Sequence, residues 1–188
     1  LVTNDQRERQ RIARIGATYN MIPNLIWTAL FLTPITIFCY DYVPARTIYI
    51  LLGISLIPIF FPNAFFDKMQ LSKSTRWYRR IGVKYVSALA QNGALVNRIL
   101  RKKYPTFKVV SGRAASIKKQ YYQTYFLEKF HFSLFLFFIM ITIGALMQGH
   151  YYWALTLTIS NLLYNVYPNL LQQYIRLKLR SFIYSSNK

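Results

Sequence analysis

The sequence predicts an all-α integral membrane protein, with four transmembrane helices and a basic, amphipathic helical cytoplasmic segment between the second and third. Two observations lead there. Over half the residues are apolar (54 %), yet lysine and arginine outnumber aspartate and glutamate 24 to 5. The apolar residues fall in long blocks and the charges fall between them, as in a chain partitioned between bilayer and water. The length suits one membrane domain over residues 1–188.

The chain starts polar and arginine-rich, with Arg7, Arg9, Arg11 and Arg14. No small-residue cleavage site follows the first apolar run, so no secretory signal peptide is expected. Ile15–Tyr40 carries no charge and is long enough to span, which predicts a first helix near 17–40. Pro23 suits an early turn of that helix and Pro34 a kink. Residues 41–46 read as a turn, and a second charge-free run predicts a helix over 46–66, with Pro58 and Pro62 near its end.

Residues 67–129 are rich in lysine, arginine and tyrosine. Ile81, Tyr85, Ala88 and Leu89 share a helical face, and so do Leu95, Ile99 and Leu100. Both pieces read as basic amphipathic helices at the membrane surface, and a further helical segment after Ser111-Gly112 runs into the third apolar block. From Phe130 to Ile175 there is no formal charge if both histidines are neutral. Gln148-Gly149-His150 supplies the turn of a hairpin of helices near 130–148 and 151–174.

Charge placement predicts the topology. Four basic residues precede the first helix, one lies between helices one and two, fifteen fall in Lys68–Lys129, none lies at Gly149, and four follow the last helix. The positive-inside bias puts both termini and the central segment in the cytoplasm, and Tyr151, Tyr152 and Trp153 at the far interface. The formal charge of +19 then has membrane lipids with anionic headgroups as its partner. No recognisable nucleic-acid module is present, so no nucleic acid is expected. A single cysteine, Cys39, excludes an internal disulfide and any cysteine-built metal site. There is no HxxxxD box, Gly-x-Ser-x-Gly elbow, Walker sequence or Rossmann fingerprint. No metal or cofactor is expected.

Glu128 and His131 are three residues apart, hence on one helical face, where the basic segment enters the third apolar block. Ionisable groups at such depth mark a site by default. A carboxylate beside an imidazole would fix its tautomer and make it a general base toward a hydroxyl. The alternative is that Glu128 pairs with Lys129 or a nearby arginine. Asn161, Asn165, Asn169 and either Gln172 or Gln173 form a polar stripe on the last helix, continued by Arg176 and Lys178. Such a face looks into the bundle or a wet cleft, either to bind a ligand or to bond between helices. Arg76, Arg79, Arg80 and Lys84 crowd around Trp77 and Tyr78, as a phosphate clamp or as a headgroup-binding anchor.

Three blocks resemble the glycosyl-diaponeurosporenoate acyltransferase-like family, small bacterial membrane proteins that finish staphyloxanthin-type carotenoids. They are Trp77-Tyr78-Arg79-Arg80-Ile81-Gly82-Val83-Lys84, then Glu128-Lys129-Phe130-His131-Phe132, then Asn165 followed by Gln172-Gln173-Tyr174-Ile175-Arg176-Leu177-Lys178-Leu179. The resemblance covers roughly residues 66–180. It departs at Ser72 and Thr75, where the family has Glu and Gly, and at Gln173 and Ile175, where it has Arg and Asn.

The resemblance implies a membrane-embedded O-acyltransferase of the bacterial cytoplasmic membrane, taking a cytoplasmic acyl donor and a lipophilic acceptor such as a glycosylated carotenoid. His131 would be the base, oriented by Glu128. Arg176, Lys178 and Arg79 would hold donor phosphates. The substrate-binding set is Asn161, Asn165, Gln172, Tyr174, Arg176, Lys178, Trp77, Tyr78, Arg79 and Arg80. The alternative is a non-catalytic membrane subunit, or a lipid- or pigment-binding scaffold docked to protein partners in a larger complex.

Overall fold

A computed structural model describes residues 4–85, 102 and 114–185. Among them are seven α-helices, which we number in chain order: α1 (Asn4–Tyr42), α2 (Ala45–Leu56), α3 (Asn63–Lys68), α4 (Thr75–Arg80), α5 (Ala114–Met147), α6 (Tyr151–Asn161) and α7 (Tyr167–Ser185). A 3-10 turn, Ile57–Phe60, extends α2, and a π-helical segment, Leu162–Val166, joins α6 to α7.

Met21–Tyr42 of α1 and Ile117–Met147 of α5 are long and apolar enough to cross a bilayer. Only 22 % and 28 % of their apolar windows are buried, whereas the core helix of a soluble protein would be mostly buried. Met21, Ile22, Leu25, Ile26 and Leu30 on α1, and Ile143 and Leu146 on α5, lie exposed. Apolar side chains facing outward along such lengths suit hydrocarbon as the surrounding solvent. Each long helix extends past its expected bounds. Pro23 consequently stands well inside α1, like Pro34, and not in its first turn.

The second apolar run is not one helix. Pro58 lies in the 3-10 turn, and α3 begins after Pro62. In 3-10 spacing the donor to the Ile59 carbonyl would be residue 62, a proline without an N–H. Lys129 Nζ donates to that carbonyl instead, at 3.2 Å. α2 and the 3-10 turn together reach about 26 Å.

The hairpin turn forms where the sequence placed it. Gly149 has φ +78°, which a residue without Cβ adopts freely. Gly149 N–H donates to the Leu146 carbonyl at 3.0 Å and His150 N–H to the Ala145 carbonyl at 2.9 Å. This double bond pattern is a Schellman cap, and it turns α6 back antiparallel to α5. Ile35, Phe38, Phe138, Ile141, Ala154 and Leu157 form the core beside the turn. Tyr42, His150 and Trp153 stack near it, with Tyr42 and His150 centroids 4.3 Å apart.

The first piece of the basic segment differs from the expected amphipathic helix with Ile81 and Tyr85 on one face. A six-residue α4, capped by the Ser74 hydroxyl, ends at Arg80, and Gly82, with φ +86°, breaks the helical path beyond it. Ile81 and Tyr85 therefore do not share one helix face, and Tyr85 is exposed. Ala88, Leu89 and the whole stripe of Leu95, Ile99 and Leu100 lie outside the described residues.

Candidate functional site

Glu128 lies on α5 roughly 28 Å from its C-terminal end, about one hydrocarbon thickness from the Gly149 turn. Its carboxylate is buried, at 2 % exposure. Arg176 Nη1 of α7 donates to Oε2, and Gln173 Nε2 donates to Oε1 at 2.8 Å. Arg176 is as buried as Glu128, at 2 %. Its Nη2 donates to the Phe66 carbonyl at 3.4 Å, its Nε stands 3.6 Å from Asp67 Oδ1, and its guanidinium lies over the Tyr125 ring at 4.3 Å. Tyr125 donates to Asp67 Oδ1 at 2.8 Å. Two ions removed from water need such dense partnering to offset the desolvation cost.

A second branch leaves through Gln173. Its Oε1 accepts the Tyr78 hydroxyl at 2.8 Å and the Leu71 N–H at 3.2 Å. Two donors on Oε1 fix the amide so that its NH2 faces Glu128. Tyr78 also accepts from Ser72 N–H at 3.2 Å and has the Ser72 carbonyl at 3.3 Å. Its single proton goes to the shorter bond, the one to Gln173. Burial pushes the Tyr78 phenol up, so it remains a donor. Tyr78 packs with Val83 against Leu170, Leu171 and Tyr174, which fastens α4 to α7. Ser72 and Gln173, two positions at which the chain departs from the resembled pattern, are thus joined through one hydroxyl.

The third part is the asparagine stripe. Asn161 Nδ2 donates to the Phe135 carbonyl at 3.2 Å, and Asn165 Nδ2 donates to Asn161 Oδ1 at 2.8 Å. Asn165 is fully buried and lies in the π segment. Pro168, just beyond, cannot give the α-helical bond to the Tyr164 carbonyl. The His131 ring lies against the Tyr164 backbone and the Asn165 side chain. It meets the Tyr164 ring edge-on, centroids 6.0 Å apart. Buried His131 Nδ1, Asn165 Oδ1 and Asn169 Oδ1 have no hydrogen-bond partner. Ser133 Oγ and Arg176 Nε also lack one; orphaned buried polar atoms are rare, and two of these five meet where His131 packs on Asn165 of the π segment.

The structure therefore separates two residues the sequence coupled. Both Glu128 oxygens are taken by Arg176 and Gln173, and His131 faces Tyr164 and Asn165 one turn deeper. Glu128 does not orient the imidazole; the arginine pairing that the sequence left open is the one found. Arg176 is held inside the bundle, leaving no guanidinium face for a donor phosphate. Tyr174 is buried against Tyr78, and exposed Lys178 lies over its ring at 4.7 Å. Gln172 is buried, but Gln173 makes the contacts. Four-residue spacing from Asn165 through Asn169 leads to Gln173, so helical periodicity could have singled it out. Trp77, Arg79 and Arg80 are exposed, and only Tyr78 of that block enters the network. Asp67 and Tyr125 were missed, since neither stands in a recognisable motif. Among the described residues no three His, Cys, Asp or Glu side chains gather as a metal site.

A family model described as glycosyl-4,4'-diaponeurosporenoate acyltransferase matches residues 62–185, which takes in α3 through α7. The match covers well over half the chain, and the protein belongs to this family. No curated protein and no solved structure matches it.

Proposed function

We propose that this member of the glycosyl-4,4'-diaponeurosporenoate acyltransferase family transfers an acyl group to a hydroxyl of a lipophilic, glycosylated acceptor held between α5 and the π segment. The observation that carries the reading is the buried Nδ1 of His131, without a hydrogen-bond partner, in a ring that packs on the Asn165 side chain, with Asn165 Oδ1 and Asn169 Oδ1 also unpartnered. Asn165 Oδ1 and Asn169 Oδ1 accept hydrogen bonds, Nδ1 does so in the tautomer protonated at Nε2, and a hydroxylated ligand supplies donors.

In this mechanism the acceptor hydroxyl donates to His131 Nδ1. Its oxygen attacks the carbonyl of an acyl thioester, the C–S bond breaks, and the proton passes through His131 to the leaving thiolate. The products are an ester and a free thiol, and positioning with general-base help needs no covalent enzyme intermediate. Glu128 works at one remove, clamping α5 to α7 through Arg176 and Gln173 a turn from His131. The donor approaches at the basic end of the bundle, where Lys178 is exposed.

The same reading places four spans in the bacterial cytoplasmic membrane, with both termini and the 67–129 segment in the cytoplasm. The hairpin of α5 and α6 and the charge asymmetry support it. The test is mass spectrometry of lipids and pigments from cells carrying the native chain, the His131→Ala chain, or none. The reading expects an acylated product with the native chain alone. The same product with His131→Ala would instead favour a scaffold that gathers lipid or pigment without catalysing.

A further inference from the structure

From Lys68 to Tyr85 the chain carries six basic residues and no acidic one. Lys68, Lys73, Arg76, Arg79, Arg80 and Lys84 are all exposed. Apolar and aromatic side chains are exposed among them: Leu71 at 65 %, Tyr85 at 76 % and Trp77 at 37 %. A face that was merely solvated would carry its charge without a large apolar component. One that sat inside hydrocarbon could not carry six cations. Mixed exposure of this kind suits the headgroup layer, where indole rings and arginines are both favoured.

The position of this segment in the fold agrees. Buried Tyr78 ties α4 to Gln173 and packs on Tyr174 of α7, at the same level as Glu128 and Arg176. That level is about one hydrocarbon thickness from the Gly149 turn. The helix is therefore tied to α7 at that level, with Tyr78 turned inward and its neighbours Trp77, Arg79 and Arg80 turned out.

We propose that residues 68–85 form an interfacial platform for anionic phospholipid headgroups, with Arg76, Arg79 and Arg80 on the phosphates and Trp77 at the glycerol level. The occupant follows from charge complementarity: six cations with no acidic residue among residues 68–85 call for an anionic partner, and at this depth the abundant one is lipid. The platform stands apart from the His131 chemistry and does not depend on it.

The full chain, purified in detergent, would be titrated with phosphatidylglycerol or phosphatidylcholine and read by native mass spectrometry. The expected result is preferential retention of phosphatidylglycerol, weakened about tenfold or more in Arg76→Gln/Arg79→Gln/Arg80→Gln. Trp77→Ala gives a second readout and should lower retention of both lipids. Equal retention of the two lipids by the native chain would overturn the proposal, as would unchanged selectivity in the triple variant. Displacement of bound phosphatidylglycerol by micromolar coenzyme A would assign the arginines to a soluble phosphate ligand, and the proposal would fall.

Discussion

Glu128 and Arg176, 48 residues apart in the chain, form an ion pair with each partner about 2 % exposed. The pair joins α5 to α7 where the Gly149 hairpin brings their far ends level. Its arrangement is asymmetric. Glu128 has two donors, whereas Arg176 serves Glu128, Asp67 and the Phe66 carbonyl and lies over Tyr125.

Breaking the pair from either side should destabilise the bundle, because it leaves a buried charge without its partner. Arg176→Ala should cost about 3–5 kcal/mol, and more than Glu128→Gln, which keeps an acceptor for Arg176 and Gln173. Thermal unfolding in detergent would measure this. Equal or negligible losses would show that the pair is hydrated in solution.

Tyr78→Phe removes a hydroxyl that gives its proton to Gln173 and accepts from Ser72. A loss of about 1–3 kcal/mol is expected, since the Gln173 oxygen and the Ser72 N–H both lose a partner. In a double-mutant cycle with Gln173→Leu the two changes should be non-additive by roughly 0.5–3 kcal/mol. Strict additivity would mean that the latch between α4 and α7 does not operate.

The four-span topology can be tested by cysteine labelling in a Cys39→Ser background. A cysteine at His150 should react only from outside the cell, and one at Lys118 only from the cytoplasm. Reversed labelling at either site would refute the orientation.

Charge and hydropathy blocks made the two long apolar helices and the hairpin turn legible, because the length of an apolar run and a glycine turn are local constraints. The break of the second apolar run was less so. It follows from Pro62 removing one donor, and Lys129 repairs the loss from 70 residues away. The sequence left the partner of Glu128 open between His131 and a nearby cation, for a similar reason. Helical spacing places Glu128 and His131 on one face, but the competing donors, Arg176 and Gln173, come from another helix. Asp67 and Tyr125 had no signal, since they matter only through their contact with Arg176. The asparagine stripe was visible as periodicity, but the π turn that carries Asn165 depends on how α6 meets α7.

The central claim is that His131 Nδ1 is the base for acyl transfer. The direct measurement is ester formation by purified protein in anionic nanodiscs, with an isotope-labelled acyl thioester and a glycosylated carotenoid acceptor. His131→Ala should lower kcat by about 100-fold or more, with an unchanged unfolding temperature and little change in donor KM. Asn169→Ala should mainly raise acceptor KM. A His131→Ala protein that stays folded and forms the ester at the native rate would contradict the account.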